Sequence, residues 1–111
     1  MKLARIGNPG KEKPIIIDKD NNYRDISSVI KDFNSDNLNF ETIGKLKNIK
    51  IEDLPILDKN QRIGACVNNP SKFIGIGLNF KDHAIEQNMP IPKEPIIFSK
   101  FTNSVSGPND D

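Results

Sequence analysis

Tryptophan is absent from this 111-residue chain, and tyrosine, cysteine and histidine occur once each. The single cysteine, Cys66, excludes an internal disulfide and a thiolate metal centre. Its neighbours Ala65 and Val67 predict a small buried side chain there rather than a reactive thiol. Neither sign of charge dominates: 16 Lys and Arg stand against 15 Asp and Glu, a net charge of +1, and the two signs are interleaved. A basic stripe able to neutralise phosphates is missing, which argues against nucleic-acid binding. No apolar run approaches membrane-spanning length, and the opening Met1-Lys2-Leu3-Ala4-Arg5 lacks the apolar stretch of a signal peptide. The cytoplasm is therefore the expected location. Internal repeats and low-complexity tracts are also lacking. Arginine is confined to Arg5, Arg24 and Arg62, while isoleucine, lysine and asparagine abound, a bias that reflects A/T-rich codons rather than function.

What is present fits a soluble globular protein, with 35% hydrophobic and 28% charged residues and apolar side chains gathered in short runs. A chain of this size buries a limited core, so more chain or a partner is expected to add robustness. Residues 1–26 read as a three-stranded meander: residues 3–6, a turn at Asn8-Pro9-Gly10, residues 14–17, a polar hairpin loop at 18–22, then residues 23–26. Ser27 or Ser28 is placed to cap a short helix over 29–33. Residues 40–47 form a second helical candidate, with Phe40, Ile43 and Leu46 on one face. Residues 48–62 look irregular, and 63–67 could be a strand. Asn68-Asn69-Pro70-Ser71 is a strong turn signal and sets the expected boundary between a small domain, 1–68, and a second one beginning at 69.

Beyond that boundary the pattern changes. Residues 72–78 are a nearly continuous apolar run with two glycines, read as a buried strand whose backbone is closely approached. Asn79 is expected to cap the following helix, with Asp82 three residues on in a capping-box arrangement. That helix should run to about Asn88 and stop at Met89-Pro90. Pro90, Pro92 and Pro95 hold an extended stretch, and residues 95–100 read as another buried strand. Gly75-Ile76-Gly77 is no dinucleotide fingerprint, because Phe80 occupies the third glycine position. The stretch 7–11 lacks the spacing and the Ser/Thr of a phosphate loop.

His83, the sole histidine, sits early in that helix, and Glu86 three residues on shares its face. A carboxylate beside an imidazole fixes its tautomer and sustains its basicity, as a water-activating general base requires. The same spacing also describes an ordinary surface pair. Lys100, at the end of the second strand, could reach an anionic substrate, or could simply pack its stem with the ammonium in water. No carboxylate or histidine cluster has metal-ligand spacing: Asp82 reads as a capping residue, and Asp110 and Asp111 as a solvated end.

Taken together, Lys72-Phe73-Ile74-Gly75-Ile76-Gly77-Leu78-Asn79-Phe80-Lys81-Asp82-His83-Ala84-Ile85-Glu86 resembles the signature segment of the fumarylacetoacetate hydrolase family. Pro90-Ile91-Pro92-Lys93-Glu94-Pro95-Ile96-Ile97-Phe98-Ser99-Lys100 is similar to that family's proline segment and following strand. Gly107-Pro108-Asn109-Asp110-Asp111 looks like its next landmark, as in bacterial members labelled ureidoglycolate lyase or diketo-deoxy sugar acid hydrolase. Met1-Lys2-Leu3-Ala4-Arg5-Ile6-Gly7 and Arg24-Asp25-Ile26-Ser27-Ser28 are similar to that subgroup's small N-terminal domain. The resemblance covers the whole chain and is specific from 72 to 109. It implies an α+β, β-rich fold, with residues 69–111 the first strands of a β-roll catalytic domain. It implies cleavage of C–C bonds in 2-oxo or diketo acids with Mg²⁺ or Mn²⁺, the metal stabilising an enolate while a His–Glu dyad activates water. His83 and Glu86 match the dyad, Lys100 matches the lysine ending the second strand, and Asn79 matches a position at the site's edge. The family's Glu-x-Glu and later aspartate, which hold the metal, lie downstream of the last landmark. This chain is thus expected to be an N-terminal piece of a longer homo-oligomeric enzyme, a homodimer or larger, and to hold no metal alone. The rival expectation is a non-catalytic β-rich module that assembles or binds.

Overall fold

The computed structural model describes residues 1–110; Asp111 lies outside the described residues. The chain forms two antiparallel sheets with few helices, a small β-rich α+β arrangement. It divides into two compact units, Met1–Pro70 together with residues 105–110, and Ser71–Ser104.

In the first unit, strands β1 (Lys2–Ile6), β2 (Lys13–Ile17), β3 (Tyr23–Asp25) and β4 (Ile56–Leu57) make a sheet in that order. The expected meander is present, and Asp18 shapes its hairpin loop by accepting from the Asp20 and Asn22 N–H groups at 2.9 and 2.8 Å. The register sets Leu3 opposite Ile16 and Ala4 opposite Ile15. Side chains alternate across a strand, so the Ile15-Ile16-Ile17 run supplies both faces. On one face Ile16 packs with Ile26, Ile30, Phe33 and Leu46; on the other Ile15 packs with Ala4 and Ile6, flanked by Tyr23, Leu57 and Ile63. The fourth strand arises from a stretch read as irregular, where Asp25 N–H donates to Pro55 O at 2.9 Å.

Helix α1 (Phe40–Lys47) spans the expected residues, capped by Asn39, whose Oδ1 accepts from Thr42 N–H at 2.9 Å. Leu46 is buried, but Phe40 is 98% exposed, since it begins the helix at the far end from the core. The helix expected over 29–33 is absent; a turn over 27–29 leads into irregular backbone. Asp25 takes the Ser27 N–H, Asp32 takes the Phe33 N–H, and Asn34 takes those of Asp36 and Asn37. Short polar side chains that bind nearby backbone compete with helix formation. Ile30 and Phe33 are nonetheless core residues. The strand expected over 63–67 reduces to a single bridge between Ile63 and Ile6. Cys66 lies in the loop beyond it and is exposed, contrary to the expectation of burial.

A charged network ties this unit together. Arg5, only 4% exposed, donates to Asp32 Oδ1 at 2.6 Å, Asp32 Oδ2 at 3.0 Å, Glu12 Oε2 at 3.3 Å and Ala65 O at 3.1 Å. Glu12 also accepts from Arg62 at 2.9 Å, and Arg62 Nε reaches Asp110 Oδ1 at 2.6 Å. Asp110 is therefore a bound carboxylate and not a solvated end. Its second oxygen accepts from Gly107 N–H at 2.7 Å, and a side chain at Gly107 would collide with the Ile63 carbonyl.

In the second unit, β5 (Phe73–Gly77) and β6 (Ile96–Lys100) pair antiparallel, with α2 (Lys81–Glu86) between them in sequence. Both strands lie within the spans expected for them, but neither is buried: β6 is exposed throughout, and Ile74 and Ile76 of β5 are 55% and 42% exposed. A two-stranded ribbon has no layer of its own to cover two apolar faces. None of the helices among the described residues is long and apolar enough to cross a membrane.

Candidate functional site

The strand-to-helix junction of the second unit carries three of the four expected site residues. β5 ends at Gly77, and Leu78 follows in the left-handed region at φ +48°. That conformation is costly for a residue with a β-carbon and is found where surrounding structure imposes it. It turns the chain sharply, and the helix starts later than expected. Phe80, not Asn79, occupies the capping position, and no side chain caps the helix. Asp82 is exposed and the expected capping box is not made, because with Phe80 at the cap Asp82 falls at the second helical position rather than the third. The helix is anchored by Ala84, fully buried. It ends at Glu86, two residues before the expected stop, and Asn88 takes the left-handed conformation at φ +51°. Asparagine tolerates that conformation and commonly follows a helix end.

His83 and Glu86 are both exposed and one turn apart on α2. Asn79 is exposed at the elbow before the helix, and Lys100 is exposed at the end of β6. The Lys100 ammonium stands 5.4 Å from the centroid of the Phe73 ring, its cross-strand partner, in cation–π range. Among the described residues no side-chain hydrogen bond or ion pair joins any two of Asn79, His83, Glu86 and Lys100. No group of three or more His, Cys, Asp or Glu among them could hold a metal ion.

Asn79 also lines an open concavity of about 400 Å³ within this unit. Its walls are Ile76, Gly77 and Leu78 on the strand side and residues 91–95 on the proline side, with Lys81 and Lys93 at the rim. The sequence singled out neither lysine. The prolines flanking Lys93 were the available signal, since they hold that stretch extended against the strand. Leu78 had no signal, because leucine carries no preference for its conformation.

No protein-family model matches the chain. Curated relatives from Burkholderia multivorans and Burkholderia lata are each 49% identical to it over 110 residues, and one from Burkholderia cenocepacia is 48% identical over the same length. Each of these alignments takes in 99% of this chain. All three carry a provisional hydrolase name with no substrate. The chain spans 39% of the length of these relatives.

Proposed function

We propose that this chain is the N-terminal part of a hydrolase that cleaves C–C bonds in 2-oxo or diketo acids, of the fumarylacetoacetate hydrolase type. The observation that carries the reading is the placement of His83 and Glu86 one turn apart on a six-residue helix, directly after a glycine-bearing strand and a left-handed elbow. The similarity to relatives named as hydrolases supports the class of reaction.

The chemistry this assigns to the chain's own residues is limited. The His83 imidazole takes a proton from water, and Glu86 orients and steadies the imidazolium that forms. The hydroxide produced adds to a substrate carbonyl carbon, the adjacent C–C bond breaks with its electron pair leaving as an enolate, the attacked carbonyl is released as a carboxylic acid, and the enolate takes the proton from the His83 imidazolium. Lys100 and Asn79 contribute a cation and an amide toward the anionic substrate. A Mg²⁺ or Mn²⁺ ion belongs to this type of reaction, but the described residues do not fit one. Asp110 is engaged by Arg62, and Asp82 has no companion ligand. The proposal gives this chain no ligand to the metal and no step through it. By the same resemblance the complete protein is a cytoplasmic homo-oligomer acting on a small acid.

A second reading, a non-catalytic binding or assembly module, is favoured for the chain by itself, since the four residues are exposed and unlinked. The discriminating experiment continues residues 1–111 with the remaining polypeptide of the Burkholderia multivorans relative and assays diketo acids with Mg²⁺. His83→Ala is expected to lower kcat by roughly a hundredfold or more while calorimetry shows Mg²⁺ binding retained. Unaltered turnover in that variant would sink the dyad.

A further inference from the structure

We infer that the hollow between the end of β5 and residues 91–95 is a binding site for a small carboxylate with a compact apolar body, held by Lys81 and Lys93. The hollow is built within the second unit alone. Ile76, Leu78, Ile91, Pro92 and Pro95 give it an apolar lining, and its volume of about 400 Å³ is in the range of small-molecule sites. Two breaks in regular structure border it. The left-handed Leu78 turns the chain out of β5, and a bend at Lys93-Glu94 lies between two prolines that limit its freedom. Each side brings one ammonium group to the hollow: Lys81 from the first residue of α2, and Lys93 from the bend.

The charge there is uncompensated. Lys81, Lys93 and Glu94 are the charged residues lining the hollow, two cations against one carboxylate. Among the described residues none of the three enters an ion pair or a side-chain hydrogen bond. The basic hollow of the first unit, around Lys11, Lys13 and Arg62, is the contrast. There Asp25 takes Lys13, and Glu12 and Asp110 take Arg62. A carboxylate with a hydrocarbon body answers both features of the second hollow. Its charge meets the two ammonium groups while its body covers Ile76 and Ile91, which are 42% and 56% exposed. Inorganic phosphate would meet the cations and leave that apolar surface wet. The family resemblance gives neither lysine a role, and His83, Glu86 and Lys100 do not line the hollow. Asn79 is the residue shared with the proposed site, so the inference stands apart from the proposed reaction.

The test titrates the nitrogen-15-labelled chain with benzoate and follows backbone amide shifts by two-dimensional NMR. The hollow is open to solvent, so a Kd of about 1–10 mM is expected. Saturable shifts should centre on residues 76–79, 81, 91 and 93–94. Benzamide lacks the charge, acetate lacks the body, and inorganic phosphate lacks the body too; each should bind at least about fivefold more weakly than benzoate. Lys81→Gln and Lys93→Gln should each weaken benzoate about threefold or more, with the remainder of the spectrum unchanged, and Lys11→Gln should not. Added NaCl should weaken it as well. The inference is overturned by shifts at these amides that grow without saturating, by benzamide or phosphate binding as tightly as benzoate, or by either of the two hollow-lining lysine variants keeping the parent affinity. These titrations read binding and not turnover, so a failure of the reaction proposed for His83 would leave their outcome untouched.

Discussion

Arg5 is the residue on which the first unit is most exposed to mutation. Its guanidinium is buried, and its donors are distributed over Asp32, Glu12 and the Ala65 carbonyl. Truncation leaves Asp32 without its cation and Glu12 with Arg62 alone, so Arg5→Ala is expected to cost about 3–5 kcal/mol, read from urea unfolding. Arg5→Lys should recover little of this, because an ammonium cannot span both Asp32 oxygens in a planar fork. Asp18 offers a pH signature. Burial of its side chain favours the neutral form, but N–H donors from Asn22 and Asp20 and the Arg24 guanidinium outweigh it and hold the carboxyl at about 2. A depressed carboxyl stabilises the fold above its unfolded value, and that contribution is lost as pH falls. Melting temperature should therefore drop between pH about 4 and about 2, and Asp18→Asn should flatten that part of the profile. The network around Arg5 was not legible in the sequence, because arginine, carboxylates and the carbonyl come from positions up to 60 residues apart. Cys66 was misread for a related reason: apolar neighbours predict burial only when the segment enters a sheet, and this one stops at a single bridge.

Among the elements, α1 was legible in position. Its extent and Leu46 at its core follow local apolar spacing, whereas Phe40, expected on the same face, is exposed and the Asn39 cap was not read. Asn39→Ala is expected to destabilise the first unit by about 1 kcal/mol by thermal or urea unfolding. The stretch 29–33 failed because the competing hydrogen bonds are equally local but come from Asp25 and Asp32, which the helix reading did not weigh. Strands β5 and β6 were legible in position and not in burial. Apolar runs report what a strand needs against its faces, and among the described residues those faces stay largely exposed. At the candidate site, the order strand then helix was legible, and the elbow between them and the helix start were not, because Leu78 gives no sign of its left-handed backbone. Among the described residues no hydrogen bond or ion pair fixes the relation between His83, Glu86 and Lys100 that a reaction would need.

For the molecule as a whole, the buried side chains are unevenly shared. Every fully buried large side chain belongs to the first unit, and Ala84 is the buried hydrophobic of the second. The two units are expected to lose structure at different denaturant concentrations, the second one first. The single tyrosine, Tyr23, lies in the first unit and reports on it alone, whereas far-ultraviolet circular dichroism reports on both. Non-coincident urea transitions, with the tyrosine signal later, are the expected outcome; superimposed curves would mean that the chain unfolds as one cooperative body.

The chain leaves the first unit at Pro70 and returns to it at Val105, where Arg62 holds Asp110. In polymer terms, residues 71–104 are a closed loop and not a dangling tail. A loop fixed at both ends samples fewer conformations when disordered, and the entropy of closing it varies only with the logarithm of its length. The Arg62–Asp110 clasp therefore lowers the entropy of the disordered ribbon before any contact is made on its faces. Whatever settles there meets a segment already confined in space, and less of the binding free energy is spent on confining it.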